Sequence, residues 1–101
     1  MDQFETGTAE DAERYATLAQ SFVDGEISAV QFEDSYLTLF RNEAKYIPEE
    51  FATPINEIFY DVDAYVADPA LREDGDLDEN QLKDRVAAST AKLQNALRAD
   101  R

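Results

Sequence analysis

The stretch TPINEIFYDVDAYVADP (residues 53–69) repeats apolar residues at intervals of three and four, which is the spacing of one face of an α-helix. Thr53 followed by Pro54 is a typical helix start, because threonine caps free amides and proline fits the first helical position. Asp68-Pro69 ends the pattern, since proline disfavours helical backbone at the residue before it. The stretch therefore predicts a helix. Its core face is expected to consist of Ile55, Ile58, Phe59, Val62 and Val66.

Two further helical patterns precede this stretch. The first ends at Gly25, a residue typical of helix C-termini because it tolerates left-handed backbone. The second opens at Ser28 with Gln31 three residues later, a capping-box pattern in which each side chain accepts from the other residue's amide. Pro48 limits how far this second helix can continue.

A fourth helical pattern starts near Asp78, again with Gln81 three residues on. No segment reads as a convincing strand, and the connections between the helical patterns are short. Short connections favour antiparallel neighbours, so the sequence predicts an all-α, antiparallel four-helix bundle. We expect one domain over residues 1–101, with residues 1–8 frayed.

Composition excludes several classes of function. The chain has 101 residues, of which 44% are apolar, enough for one modest core. It contains no cysteine and no histidine, which removes disulfides, thiolate metal sites and the commonest general base. We expect no cofactor and no metal. The N-terminus lacks the features of a signal peptide and no segment approaches the ~20 apolar residues of a membrane span, so a cytoplasmic location is expected.

Acidic residues dominate the chain: 23 acids stand against 9 bases, for a net charge of −14. Such a charge repels nucleic acid and anionic membranes and attracts basic partners. The charge is also uneven, because residues 49–79 hold eleven acids with Arg72 as their only base, whereas residues 80–101 hold five bases and two acids. A surface that only aids solubility has no need of this polarity, so the middle of the chain indicates a directed acidic patch.

A calcium loop is one alternative interpretation of the acidic segment. Asp74, Asp76 and Asp78 have the alternating spacing that opens an EF-hand loop. However, Glu79 and Arg85 stand where that loop requires glycine and glutamate. An acidic loop that leads into a helix cap is the favoured interpretation.

Two further alternatives concern other functions. Asp34-Ser35 matches the phosphopantetheine attachment site of carrier proteins, but Ser35 falls two turns inside the predicted second helix, and Tyr36 replaces the usual leucine. Paired carboxylates can perform acid–base catalysis, yet no nucleophile elbow, glycine-rich phosphate loop or metal set accompanies them, so we expect no enzyme. A small acidic adaptor that mimics nucleic acid and binds a basic regulatory protein remains open.

A candidate binding surface lies on the predicted helix of residues 53–69. On a helix that advances about 100° per residue, its acids fall mostly opposite the core face and its tyrosines flank them. The candidate residues are Glu57, Tyr60, Asp61, Asp63, Tyr65 and Asp68. We expect a row of carboxylates with little lysine or arginine to neutralise it, which suits the anchoring of a basic protein. A solvated face without a partner stays open, as does a structural pairing of Asp63 with Arg72.

Three runs of the sequence resemble the bacterial self-protective colicin-like immunity family, which includes the immunity protein of colicin D. They are FVDGEISAVQFEDSYLTLFRNE (22–43), INEIFYDVDAYVADPALR (55–72) and DLDENQLKDRV (76–86), and the resemblance covers roughly residues 12–90. It implies a helical bundle that binds the nuclease domain of a bacteriocin or contact-dependent toxin. It further implies that acids of the immunity protein occupy a basic cleft where a tRNase would bind RNA phosphates.

The resemblance also carries over to individual positions. Asp63 and Tyr65 match the Val-Asp-x-Tyr pattern of the family, and Asp68 matches its Asp-Pro. Glu57, Tyr60 and Asp61 come from the helical-face argument alone. The implied partner is a basic toxin nuclease domain, with no direct binding to nucleic acid or membrane. We expect a monomer in the complex, with a homodimer as the alternative.

Overall fold

The computed structural model describes residues 7–100, which contain four α-helices. They are α1 (Ala9–Val23), α2 (Ala29–Arg41), α3 (Glu49–Ala64) and α4 (Glu79–Asp100), with a single 3₁₀ turn at Pro69–Leu71. The long α4 packs along both α1 and α3, and α2 closes the bundle against α1 and α3. The predicted all-α, antiparallel four-helix bundle is confirmed. No helix within residues 7–100 is both long enough and apolar enough to cross a membrane.

Aromatic side chains form the centre of the core. Phe22 of α1 stacks on Phe32 of α2 with ring centroids 4.6 Å apart, and Tyr15 meets Tyr36 edge-on at 5.6 Å. The buried hydroxyl of Tyr36 donates to the carbonyl of Ile55 at 2.7 Å, which satisfies its polar end and ties α2 to α3. Aromatic rings bury more area per side chain than most residues and are major contributors to the energetics of a core.

The predicted starts of α2 and α4 are confirmed by their caps. At α2, the Ser28 amide donates to the Gln31 side chain at 2.9 Å, and the Gln31 amide donates back to the Ser28 hydroxyl at 3.1 Å. Asp78 and Gln81 make the same exchange at α4, at 2.9 and 2.8 Å. Gly25 follows α1 with φ +81°, the left-handed conformation that favours glycine.

The predicted start of α3 is wrong. The helix begins at Glu49, so Thr53 and Pro54 lie inside it rather than at its cap. Proline removes one helical hydrogen bond at this point. The additional turn buries Phe51, which is only 2% exposed. The amide of Phe51 donates to the carbonyl of Pro48 at 3.0 Å. This burial offsets the cost of an internal proline near the helix start.

The predicted end of α3 is also wrong, because the helix stops at Ala64 and not near Asp68. Tyr65 pairs with Leu77 in an isolated parallel bridge. The Leu77 amide donates to the carbonyl of Ala64 at 2.8 Å, and the Val66 amide donates to the carbonyl of Leu77 at 3.1 Å. The α3–α4 connection (residues 65–78) is therefore closed at its base.

The α2–α3 connection (residues 42–48) turns back onto α1. The Gly7 amide donates to the carbonyl of Tyr46, and the Lys45 ammonium lies 3.3 Å from Asp11. Thr8 precedes α1 and donates its amide to the Asp11 carboxylate at 2.8 Å. Of the segment expected to be frayed, residues 1–6 lie outside the described residues.

Candidate interaction surface

The six residues proposed from the sequence fall into two groups. Three of them border a groove between α3 and α4, namely Glu57, Tyr60 and Asp61. The other three surround the C-terminal end of α3, namely Asp63, Tyr65 and Asp68. The single row of carboxylates expected from the helical spacing is therefore not formed.

The groove has a volume of about 340 Å³ and includes Arg85, Ala88 and Ser89 of α4 in its lining. Glu57 accepts a hydrogen bond from the Ser89 hydroxyl at 3.0 Å and one from the Lys92 ammonium at 3.1 Å. A carboxylate that looks solvent-facing on an isolated helix thus faces the neighbouring helix in the bundle.

Asp61 lies one turn further along the groove. Its carboxylate is 3.5 Å from the guanidinium of Arg85, with side-chain exposures of 15% for the aspartate and 62% for the arginine. Burial raises the pKa of Asp61, and the positive charge of Arg85 opposes that rise. The expectation of little neutralising charge is therefore wrong for Glu57 and Asp61.

Sequence reasoning missed the α4 side of this groove. Arg85, Ser89 and Lys92 recur at intervals of four and three, the spacing of one helical face. Glu57 and Asp61 are also four residues apart, so the two patterns are complementary across an antiparallel pair of helices. That match is the signal that could have identified the groove.

Tyr60 is the exposed aromatic at the border of the groove, with 69% of its surface accessible. Its ring meets Phe59 edge-on at 5.7 Å, and Phe59 in turn stacks on Phe40 of α2 at 4.3 Å. The tyrosine is therefore supported from below by packed rings while its outer face stays open to solvent.

Asp63 is exposed, and no ion pair within residues 7–100 involves it. The pairing with Arg72 that sequence reasoning left open does not occur. Arg72 instead donates to the carbonyls of Val66 and Ala67, at 2.7 and 3.3 Å. The arginine thus holds the α3–α4 connection and leaves the aspartate charge uncompensated.

Tyr65 and Asp68 are both engaged in local structure. Tyr65 is only 8% exposed, and burial raises the pKa of its hydroxyl. Asp68 accepts from the Ala70 amide at 3.0 Å and so caps the 3₁₀ turn. The aspartate remains exposed and charged, whereas the tyrosine contributes little surface.

The α3–α4 connection carries further acids that bind backbone amides. Asp76 accepts from the amide of Glu73 at 2.8 Å, and Asp78 accepts from that of Gln81 at 2.8 Å. Across the described part of the chain, none of the acids between Asp63 and Glu79 takes part in an ion pair. This region therefore keeps its negative charge.

The structure also shows where the two alternative sites of the sequence lie, namely the acidic loop and Ser35. Asp78 acts as a helix cap, as the favoured interpretation of the acidic loop expected. Within residues 7–100 no cluster of three or more acidic side chains is arranged to hold a metal ion. Ser35 lies inside α2, as expected from the capping box at Ser28.

A family model described as bacterial self-protective colicin-like immunity matches residues 12–93. Searches of curated proteins and of solved structures each found no significant match.

Proposed function

The chain belongs to the bacterial self-protective colicin-like immunity family, whose members inhibit toxins rather than catalyse reactions, and on that premise we propose the following function. The protein binds the nuclease domain of a cognate bacteriocin or contact-dependent toxin. The nuclease is a tRNase, and inhibition consists of covering its basic active-site cleft with an acidic surface.

The observation that carries this proposal is the uncompensated charge of the α3–α4 connection together with the adjoining acids Asp63 and Glu79. A cleft that binds RNA phosphates must be rich in lysine and arginine. The acids from Asp63 to Glu79 are bonded to backbone amides or left free, and no described cation pairs with them. They therefore present a negative surface suited to such a cleft.

Inhibition of this kind is stoichiometric. Long-range attraction raises the association rate above the ~10⁵–10⁶ M⁻¹s⁻¹ of neutral protein pairs, and added salt lowers it. We place the protein in the cytoplasm, where the tRNA substrate of such a toxin is found. It acts as a monomer bound to one nuclease domain.

Specificity needs more than charge, because charge alone would accept any basic surface. Tyr60 supplies a rigid and exposed aromatic ring beside the groove, and such rings commonly act as anchors at the centre of protein interfaces. Asp63 lies exposed near it on α3. Tyr60 and Asp63 therefore add a contact of defined shape to the acidic surface.

The test uses the toxin domain encoded beside this gene. The domain is incubated with total tRNA, with and without increasing amounts of this protein, and cleavage is followed on a gel. Cleavage that stops near one equivalent supports the proposal. Undiminished cleavage rejects inhibition of that toxin. A toxin domain that is inhibited in cells but cuts no tRNA would reject the tRNase assignment alone.

A further inference from the structure

We infer that the groove between α3 and α4 receives an arginine side chain of the toxin, and that Arg85 occupies part of this site until the toxin binds. The inference rests on the proposed function. It adds the place where a toxin side chain binds and names Arg85 as the residue that competes for that place.

The groove already shows which chemistry it accepts. A guanidinium from Arg85 lies 3.5 Å from Asp61, and the ammonium of Lys92 lies 3.1 Å from Glu57. Both cations come from α4, and both are mostly exposed, at 62% and 61%. The two carboxylates are less exposed, at 15% for Asp61 and 38% for Glu57, so they form the inner side of the site and the cations form its outer side.

The pairing of Arg85 with Asp61 is weak by geometry. The closest nitrogen–oxygen distance is 3.5 Å, longer than the bonds of a strong, forked arginine–carboxylate pair. Because the arginine is mostly exposed, water and salt screen a contact of this length. A partner that covers the groove would exclude water and strengthen its own contact with the same carboxylate.

An arginine fits this groove better than a lysine. The exposed ring of Tyr60 borders the groove that holds Asp61, so a planar guanidinium can lie against the ring while its edge binds the carboxylate. The lining residues Ala88 and Ser89 carry small side chains, which leaves room for this planar group. A compact ammonium would use the charge but not the ring.

Arg85 is therefore a competitor in the free protein. Removing it should strengthen toxin binding, whereas removing the same charge elsewhere on α4 should change only long-range attraction. Arg98 provides the matched control, because it is exposed and bonds only to Asn95 on its own helix among the described residues.

The experiment measures dissociation constants and dissociation rates for the toxin domain encoded beside the gene. The variants are Arg85→Gln against Arg98→Gln, and Asp61→Asn against the exposed Asp84→Asn. We expect Arg85→Gln to bind roughly two- to fivefold more tightly than Arg98→Gln through slower dissociation. We expect Asp61→Asn to bind at least about tenfold more weakly than Asp84→Asn. Thermal melting of each variant establishes that it is folded.

Equal affinities of Arg85→Gln and Arg98→Gln would overturn the inference, and so would weaker binding by Arg85→Gln. Equal affinities within the aspartate pair would overturn it independently of the arginine variants. If the wild-type protein itself does not bind the toxin domain, the proposed function fails, and the inference fails with it. These results are distinguishable because the wild-type measurement comes first.

Discussion

The connections at the two ends of α3 both contain charged residues, but they use charge in opposite ways. In the α2–α3 connection, Glu43 accepts a hydrogen bond from the hydroxyl of Tyr15 at 2.9 Å and lies 3.9 Å from Arg14. Lys45 of the same connection pairs with Asp11 at 3.3 Å. In the α3–α4 connection, by contrast, Asp68, Asp76 and Asp78 accept from backbone amides only.

The difference shows that the kind of partner decides what a carboxylate does. A carboxylate paired with a cation loses most of its external field and holds two parts of the chain together. A carboxylate that caps a turn fixes the local backbone and still carries its charge. The α2–α3 connection therefore stabilises the fold, whereas under the proposed function the α3–α4 connection is the surface offered to the toxin.

The largest effect should come from charge reversal at the α3–α4 end. Asp63, Glu73 and Asp74 are exposed and free of side-chain hydrogen bonds among the described residues, so their replacement by lysine leaves the caps intact. We expect the triple variant to bind the toxin domain roughly 100-fold more weakly or worse, with an unchanged helical circular dichroism spectrum. Surface plasmon resonance gives the affinity.

The matched control for this charge reversal makes the same change away from that end. Glu10, Glu50 and Asp100 are also exposed and lie near other helix ends. Their replacement by lysine should slow association but leave dissociation almost unchanged. If both triple variants lose affinity equally, only net charge matters and the contrast between the two connections does not govern binding.

A smaller effect is expected from Tyr15→Phe, which removes the hydrogen bond to Glu43 at the α2–α3 connection. Because Glu43 is left partly buried without this donor, unfolding should become easier by about 1–2 kcal/mol. In a domain of this size that lowers Tm by roughly 4–8 °C for each kcal/mol. Toxin affinity should stay unchanged.

Tyr46→Phe is the control, since Tyr46 is 62% exposed and its hydroxyl makes no hydrogen bond to a described residue. Equal melting temperatures of the two phenylalanine variants would show that the α2–α3 connection does not stabilise the fold through Tyr15.

Acid should loosen the α2–α3 end selectively. Hydrogen bonds, led by the Thr8 amide, hold the pKa of Asp11 below its ordinary value of 3.8. A lowered pKa in the folded state stabilises the protein at pH above that ordinary value, and this stabilisation is lost as the pH falls through the folded pKa. Asp11→Asn should therefore lower Tm at pH 7 and make the decrease of Tm between pH 7 and pH 3 less steep.

Asp61 provides the opposite sign for comparison. Burial raises its pKa despite the nearby Arg85, so its ionisation opposes folding once the pH exceeds the folded pKa. Asp61→Asn should leave Tm at pH 7 unchanged or slightly higher, measured by thermal melts in the same buffers. A drop as large as that of Asp11→Asn would contradict this assignment.

A modest gain in stability is expected at Thr90, in the middle of α4 and remote from both connections. Its hydroxyl is buried and has no hydrogen-bond partner among the described residues. Thr90→Val keeps the shape and removes that unsatisfied group, so stability should rise by about 1 kcal/mol. Thr90→Ser keeps the hydroxyl and loses a methyl group, and it should be less stable than the wild type. Toxin affinity should be the same for all three proteins.

Local sequence signals predicted the fold well wherever local chemistry decides it. The caps at Ser28 and Asp78 and the stop at Gly25 depend on residues three or fewer positions away, and all three appear as predicted. The start of α3 is the exception, because Thr53-Pro54 has the sequence pattern of a first turn but lies inside the helix. Burial of Phe51, which depends on the other helices, favours the longer helix.

The candidate surface was less predictable for a related reason. The helical spacing correctly indicated that Glu57 and Asp61 lie outside the core stripe. It could not show that α4 would cover them, because Lys92 lies 35 residues away from Glu57 along the chain. Tyr65 likewise lies outside α3 rather than within the expected helix, because it pairs with Leu77 from the far side of a loop.

The pairing of Tyr65 with Leu77 also bears on how such proteins diversify. It clamps the base of residues 66–76, so the tip of this loop can change in sequence or length with little cost in closure entropy and without disturbing the helices. Selection by a new toxin could then act on the loop as an interchangeable cassette. An engineer could use the same boundary to graft new specificities onto an unaltered scaffold.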